Sequence, residues 1–531
     1  MAAIADSKGS AVALVVSGLI GVFVFYTTYL ILLHPLRNYP GPLLAKLTDW
    51  YAGFHVLGKD IHLTIHENHI KYGSVVRLAP NRLVFNTVTA LHDIYQNDRM
   101  CKPHTYGLAV RNGMDNVFTV RDKALHRVKR RMVGGALSER STRSFEPIVQ
   151  KYVNVYLRRL LETSKARRPV NITERARWLT VDIIAKVSFG YHLGLQTKEE
   201  NRFVADAMAF GLWRSNIFHH LLILSRIYVD GFTEWLFSKS RERYLELLVK
   251  MIGSRVAQGK EAERDFFSFI SELGAEEGDI RQGELFSEAH VLMAAGSDTT
   301  ASALSATFFY LSRNPDCYEK LCSEIRSTFT SGTDIKAGPK LSSCRYLRAC
   351  LDEAMRMSPP VPGTLWRIQD ADDTRPLVVD GHVVPKGTLV GVSAYALHHN
   401  EAYFPDSYTY KPERWLTGDE PSCSPEDKAA AKRMRDAFAA FSAGSRSCAG
   451  KALAYMEGSL VLAKTLWYFE FGAAPGTLGE VGGGRTDGPP GRRRLDEFQL
   501  EDIFASRHDG PYLDLRPRGE LERDLQAADV L

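Results

Sequence analysis

One cysteine in this chain stands where a thiolate could hold a metal. Cys448 lies in the run Phe441-Ser442-Ala443-Gly444-Ser445-Arg446-Ser447-Cys448-Ala449-Gly450, immediately ahead of an apolar helical stretch, Lys451 to Leu466. Backbone N–H groups of a tight loop and of a helix N-terminus can donate to sulfur and lower its pKa. Gly444 and Gly450 would let a flat cofactor approach the backbone closely. Two other readings compete. A lone cysteine is commonly a small buried hydrophobe, and it can also be a nucleophile, for which no histidine lies nearby in sequence.

A second chemical cluster is Ala294-Ala295-Gly296-Ser297-Asp298-Thr299-Thr300, an acid and hydroxyls in the middle of a long apolar helical pattern. Such groups are costly there unless satisfied. Either the hydroxyls bond back to carbonyls one turn earlier, or the helix opens locally and Asp298 and Thr299 relay protons. A third is Glu353-Ala354-Met355-Arg356, whose i, i+3 spacing puts acid and base on one helical face, by default a weak surface pair. It is joined downstream by Lys411-Pro412-Glu413-Arg414-Trp415. The fourth, His126-Arg127-Val128-Lys129-Arg130-Arg131, follows Asp122 on a helical pattern. Without a partner it is an ordinary solvated basic helix, and Arg367, beyond Pro359-Pro360, an ordinary strand end.

Taken together, the string Phe-x-x-Gly-x-Arg-x-Cys-x-Gly and the three further motifs in order closely resemble the cytochrome P-450 superfamily, the haem-thiolate monooxygenases. The resemblance runs from Pro40-Gly41-Pro42 to Arg516-Pro517-Arg518. It implies haem b, with Cys448 as the axial ligand to iron, pushing electron density toward O–O cleavage. It further implies that Arg446 pairs with a haem propionate, that Phe441, Gly444 and Gly450 shape the haem loop, and that Asp298 and Thr299 deliver protons to dioxygen, with Gly296 leaving room for it. Glu353, Arg356 and Arg414 would form a buried charged triad, structural in role, that fixes the segment leading to the haem loop. Many relatives carry Trp-x-x-x-Arg on the propionates. Here His126 takes the Trp position and Arg130 is retained, while Arg367 sits where relatives supply another propionate contact. Arg127, Lys129 and Arg131, left over on that helix, would join Lys432, Arg433 and Arg435 in a basic face for an acidic, NADPH-dependent flavoprotein reductase.

These residues need a scaffold, and the pattern supplies one. Val75 to Phe85 reads as two short strands about Ala79-Pro80-Asn81, and Leu377 to Val384 as a hairpin turning at Asp380-Gly381. Phe145 to Thr163, Arg241 to Ala257 and Glu284 to Ser312 read as helices. The expected fold is mainly α with a minor antiparallel β-sheet (α+β), of the cytochrome P-450 type. Pro475 to Arg494, rich in Gly and Pro, reads as a flexible surface loop insertion.

The 531 residues, 45% hydrophobic and 24% charged, exclude a disordered or fibrous chain. A net charge of +5 argues against nucleic acid as a partner. Seven scattered cysteines with no CxxC pair argue against a disulfide framework or structural zinc. Ala11 to Leu33 carries no charge and is long enough to cross a bilayer, too long for a cleaved signal. Arg37 and Lys46 behind it favour a cytosolic body. In that setting the glycosylation acceptor Asn171-Ile172-Thr173 would never meet its transferase. The reading is therefore a transmembrane anchor, residues 1–35, in membrane lipid of the endoplasmic reticulum, and a haem-thiolate domain, residues 36–531, with the insertion at 475–494. Its reaction would place one oxygen atom of O2 into an apolar small molecule, in the style of fungal secondary metabolism. A same-fold isomerase or dehydratase that uses no O2, and a haem-binding electron-transfer protein, are the alternatives.

Overall fold

The computed structural model describes residues 2–109, 113–221, 223–224, 238–259, 265–268, 282–418, 423–519 and 521–526. The N-terminal helix, Ala2–Thr28, runs on into one π-helical turn, Tyr29–Leu33. Ala13–Leu33 is long and apolar enough to cross a membrane, and its large side chains, Leu19, Phe23 and Phe25 among them, are exposed. The helix does not end in a slack tether. The buried guanidinium of Arg77 donates to the carbonyls of Leu30 (3.3 Å), Leu36 (3.4 Å) and Pro80 (3.0 Å), fastening the end of the helix to the first strand.

That strand, Val75–Ala79, turns back as Arg82–Phe85, and the sheet continues through Leu389–Val392, Arg367–Gln369 and Met100–Cys101. All pairings but one are antiparallel; Arg82–Phe85 lies parallel to Leu389–Val392. The two strands are far apart in sequence, so no hairpin dictates their direction. The hairpin Leu377–Val379/His382–Val384 turns with positive φ at Asp380 (+49°) and Gly381 (+74°), the geometry that suits right-twisted strands. The body is mostly helical with small, mainly antiparallel sheets, the fold class read from the pattern.

The helical signals end within a few residues of their expected bounds: Glu146–Lys165, Ser238–Ala257 and Gln282–Arg313. The last, 32 residues long, is the central helix. It packs along Ile172–Phe189 and touches Arg345–Met357, Lys451–Tyr468 and Ala505–Arg507. Its side chains join one core with Ile184, Leu351, Leu460 and Leu462. The segment 475–494 is folded back on itself: Gly484 and Arg485 donate to the carbonyls of Arg494 and Arg492, both at 2.9 Å. The Arg494 guanidinium lies 3.5 Å above the Tyr408 ring. All seven cysteines are free thiols; Cys448 is the exposed one.

One buried carboxylate organises the chain around the cysteine loop. Glu353, on Arg345–Met357, receives Arg356 through two bonds of 2.9 Å and Arg414 Nε at 3.0 Å. The Trp415 indole N–H (2.9 Å) and the Lys411 backbone N–H (3.1 Å) complete its shell. Glu353 and Arg356 have no solvent exposure at all. A pair so deep contributes little net energy when intact but leaves a bare charge when halved. Arg356→Met is therefore expected to lower unfolding stability by about 3–5 kcal/mol. Arg356→Lys should recover little of it, because an ammonium cannot make the two-pronged contact; urea unfolding of both variants checks this.

Candidate active site

The cysteine loop is held from both sides. Cys448 N–H donates to the Phe441 carbonyl (2.9 Å) and Ser447 N–H to that of Gly444 (3.1 Å), closing the loop before the helix Lys451–Tyr468 begins. Upstream, Ala439 N–H donates to His398 Nε2 (2.8 Å), so His398 Nδ1 carries the proton and donates to the Arg356 carbonyl (3.0 Å). The buried carboxylate shell thus reaches the loop through His398, a residue that no local sequence signal singled out. Phe441 packs on Tyr455, ring centroids 5.0 Å apart, under the Lys451 ammonium.

The thiol of Cys448 opens onto a cavity of about 360 Å³. The sulfur is open to this cavity yet deep among protein atoms, and that burial pushes its pKa up, against the Gly450 backbone N–H that donates to it and the nearby charges of Arg130 and Lys451. Gly450 does approach the sulfur, while the need for Gly444 is different from the one expected. Its φ is +73° and a Cβ there would lie 2.0 Å from the Tyr95 carbonyl oxygen, so this glycine seats the loop on the preceding helix, Val88–Tyr95.

Ala295, Thr299 and Ala303 of the central helix line the same cavity. The helix is continuous through this stretch, and Thr299 donates to the Ala295 carbonyl (2.9 Å), the back-bonded arrangement. Asp298 does not line the cavity. One residue along a helix turns the side chain by roughly 100°, and its Oδ1 instead meets Arg177 Nε of Ile172–Phe189 at 3.3 Å, while Oδ2 has no partner among the described residues. Burial raises the Asp298 pKa, opposed by Arg177. Arg177 in turn reaches the exposed Asp206 (3.4 Å). Gly296 lines the cavity too, and a Cβ there would meet the Ile184 side chain at 2.6 Å, so the missing side chain also admits the neighbouring helix.

His126 and Arg130, on the helix Lys123–Ala136, and Arg446 line one wall of the cavity together with Lys102, which the sequence reading missed. Arg367 stands behind it, buried above the Tyr95 ring. Their bonds are to carbonyls: Arg130 to Ser447 (2.6 Å), Arg446 to Val120 (2.7 Å) and Arg121 (3.0 Å), Arg367 to Trp366 (2.9 Å), and Lys102 to Phe118. None is ion-paired with a carboxylate among the described residues. Crowding shows in their titration. Burial and the charges of Arg446, Lys102, Arg130 and Arg367 bring His126 down to about 3, and burial with Arg367 brings Arg446 to about 10. Lys102 is likewise depressed, by burial first. Lys129 corrects a second expectation: it turns inward and pairs with buried Glu288 of the central helix (3.2 Å). Arg127, Arg131, Lys432, Arg433 and Arg435 remain exposed.

The donor set fits a haem. A thiol backed by an N–H faces apolar helix wall across the cavity, and an uncompensated cationic cluster marks where two carboxylates would neutralise charge. Comparison with known proteins points the same way. The sequence matches the family described as Cytochrome P450 over residues 42–479. It is 34% identical to Cytochrome P450 monooxygenase AKT7 of Alternaria alternata, covering 95% of this chain and 96% of that protein. It is 36% identical to Cytochrome P450 monooxygenase poxM of Penicillium oxalicum, over 97% and 96%. Against Cytochrome P450 monooxygenase apf7 of Gibberella fujikuroi the figures are 33%, 94% and 98%. With thiol, helix wall and matched span in agreement, the chain belongs to the cytochrome P450 family, haem-carrying oxidoreductases of the monooxygenase kind.

Proposed function

We propose that this is a membrane-anchored haem b monooxygenase that inserts one oxygen atom of dioxygen into an apolar secondary-metabolite substrate, with NADPH electrons delivered by a flavoprotein reductase. The observation that carries the reading is the Cys448 thiol facing Thr299 and Ala295 across one cavity, with Lys102, His126, Arg130 and Arg446 on its wall. Residues 1–35 would anchor the chain in the endoplasmic reticulum, and residues 36–531 would form the cytosolic catalytic body bearing the 475–494 insertion. Bound there, haem supplies the oxygen-activating and electron-accepting chemistry of the family.

The chain's own part is to hold, orient and protonate. Cys448 would ligate the iron, and the Gly450 N–H would steady the charge on its sulfur. Arg446, Arg130, His126, Arg367 and Lys102 would hold the propionates. Thr299 Oγ1, now donating to Ala295, can turn to donate into the cavity. Asp298 would renew that proton from behind the helix, drawing on the chain of charge that Arg177 extends to exposed Asp206. The apolar walls keep other water out. Exposed Arg127 and Arg433 would belong to the reductase-docking face, and buried Lys129 would not.

Four outcomes test this reading. Cys448→Ser should abolish the red-shifted Soret band of the reduced, carbon monoxide-bound protein, because a serine hydroxyl is a poor soft donor to iron. Thr299→Ala should keep haem content while product per NADPH falls on the order of tenfold and hydrogen peroxide rises. Asp298→Asn should slow turnover and bring a solvent isotope effect; full coupling in the alanine variant, or turnover without oxygen, would defeat the relay. Arg127→Glu with Arg433→Glu should cut reductase-driven turnover roughly tenfold at low salt, and less as salt rises, with peroxide-driven turnover unchanged. Equal loss of both activities would place these residues in the haem pocket.

A further inference from the structure

A second cavity, about 410 Å³, lies beside the thiol cavity and shares Phe118, Leu212, Val291, Ala294 and Phe504 with it. Where the two meet, four rings from three parts of the chain close on one another. Tyr106 and Phe118 come from the loop before Lys123, His219 from the helix Phe203–His220, and Phe504 from the turn between strands Glu501–Ile503 and Ala505–Arg507. Tyr106 meets His219 edge-on at 4.6 Å, Phe504 stacks on His219 at 6.0 Å, and Phe118 meets Phe504 edge-on at 5.5 Å. Phe504 is held there at φ +88°, its N–H donating to Asp502 Oδ1 (3.1 Å). A non-glycine residue in that region is strained, and such strain gathers at ligand-holding sites.

His219 is the anomaly in this arrangement. It is 3% exposed, it lines the second cavity, and neither of its ring nitrogens has a hydrogen-bond partner among the described residues. Three polar side chains on the same cavity are bonded: Asn116 to Ser287 (3.3 Å), Tyr244 to His290 (3.2 Å) and Asp206 to Arg177 (3.4 Å). A buried polar group left unpaired by its own chain is costly and calls for a ligand. We propose, resting on the monooxygenase reading above, that His219 is a specificity-determining residue, and that the substrate is an uncharged, largely apolar molecule bearing a hydroxyl or carbonyl oxygen that bonds its imidazole while a remote carbon faces Cys448.

The chemistry restricts the partner. Burial and the cations Arg82 and Lys102 hold His219 neutral, its pKa brought down to about 3. A neutral imidazole gives one donor and one acceptor and no charge to attract an anion. Aromatic rings on both sides leave little for a hydrophilic molecule, so the ligand is a hydrocarbon frame with an oxygen at one end. Oxidation would then fall at a distance from an oxygen already present.

The test uses the purified full-length holoenzyme and a panel of matched compounds of ten to twenty carbons, each alcohol or ketone set against its parent hydrocarbon. Affinity is read from the Soret shift on binding. The wild type should prefer the oxygenated member by about tenfold or more. His219→Phe, close in shape and placed among rings, should erase the preference, and His219→Gln should keep part of it. Preference retained in His219→Phe, or no pair distinguished by the wild type, overturns the inference. A wild type whose reduced, carbon monoxide-bound form lacks the thiolate band overturns the haem reading itself, and the inference with it.

Discussion

The architecture depends on one carboxylate. Glu353 gathers Arg356, Arg414, the Trp415 indole and the Lys411 backbone into one shell, and at its centre Glu353 and Arg356 have no access to water. Arg356 then donates to the His398 carbonyl (2.9 Å), and His398 passes the constraint to Ala439, at the threshold of the cysteine loop. A loop rich in glycine and serine has little packing of its own to fix its shape. Its shape comes from bonds made elsewhere, and the low dielectric around them makes each bond stringent in geometry. That explains why so costly an arrangement sits in a core where apolar residues would be cheaper to bury.

A second electrostatic arrangement works in the opposite sense. The wall of Lys102, Arg130 and Arg446, with neutral His126 among them and Arg367 behind, concentrates positive charge, and no carboxylate is ion-paired with it among the described residues. By itself it works against folding, since burial and neighbouring cations depress His126, Lys102 and Arg446, and the groups are held mainly by backbone carbonyls. Nets of this kind are stable only in prospect of a ligand of opposite charge. The triad satisfies itself, whereas the cationic wall does not.

Local chemistry made much of this legible in advance. The cysteine run, the Asp-Gly hairpin and the apolar N-terminal stretch each carry their signal within a few residues, where backbone φ, helix capping and length decide. Contacts between distant segments were not legible. Gly444 signals a close approach without naming the partner, and it is the Tyr95 carbonyl that makes it. Gly296 likewise serves Ile184. Lys102 and His398 have no motif, because each owes its place to strands or turns far off in the chain. Lys129 is a milder case. It shares the i, i+3, i+4, i+7 face of His126, Arg130 and Val133, a periodicity that places it inward with them and that the assignment to the basic face overlooks.

The clasp at Arg77 has a mechanical consequence. Because one guanidinium holds carbonyls on both the last turn of the N-terminal helix and the first strand's turn, helix and sheet cannot pivot independently. His34 reinforces the joint through Asn81 (3.0 Å). The helix therefore works as a lever arm and not as a leash. For a helix lying in lipid, its tilt in the bilayer would be carried to the sheet through the Arg77 and His34 bonds.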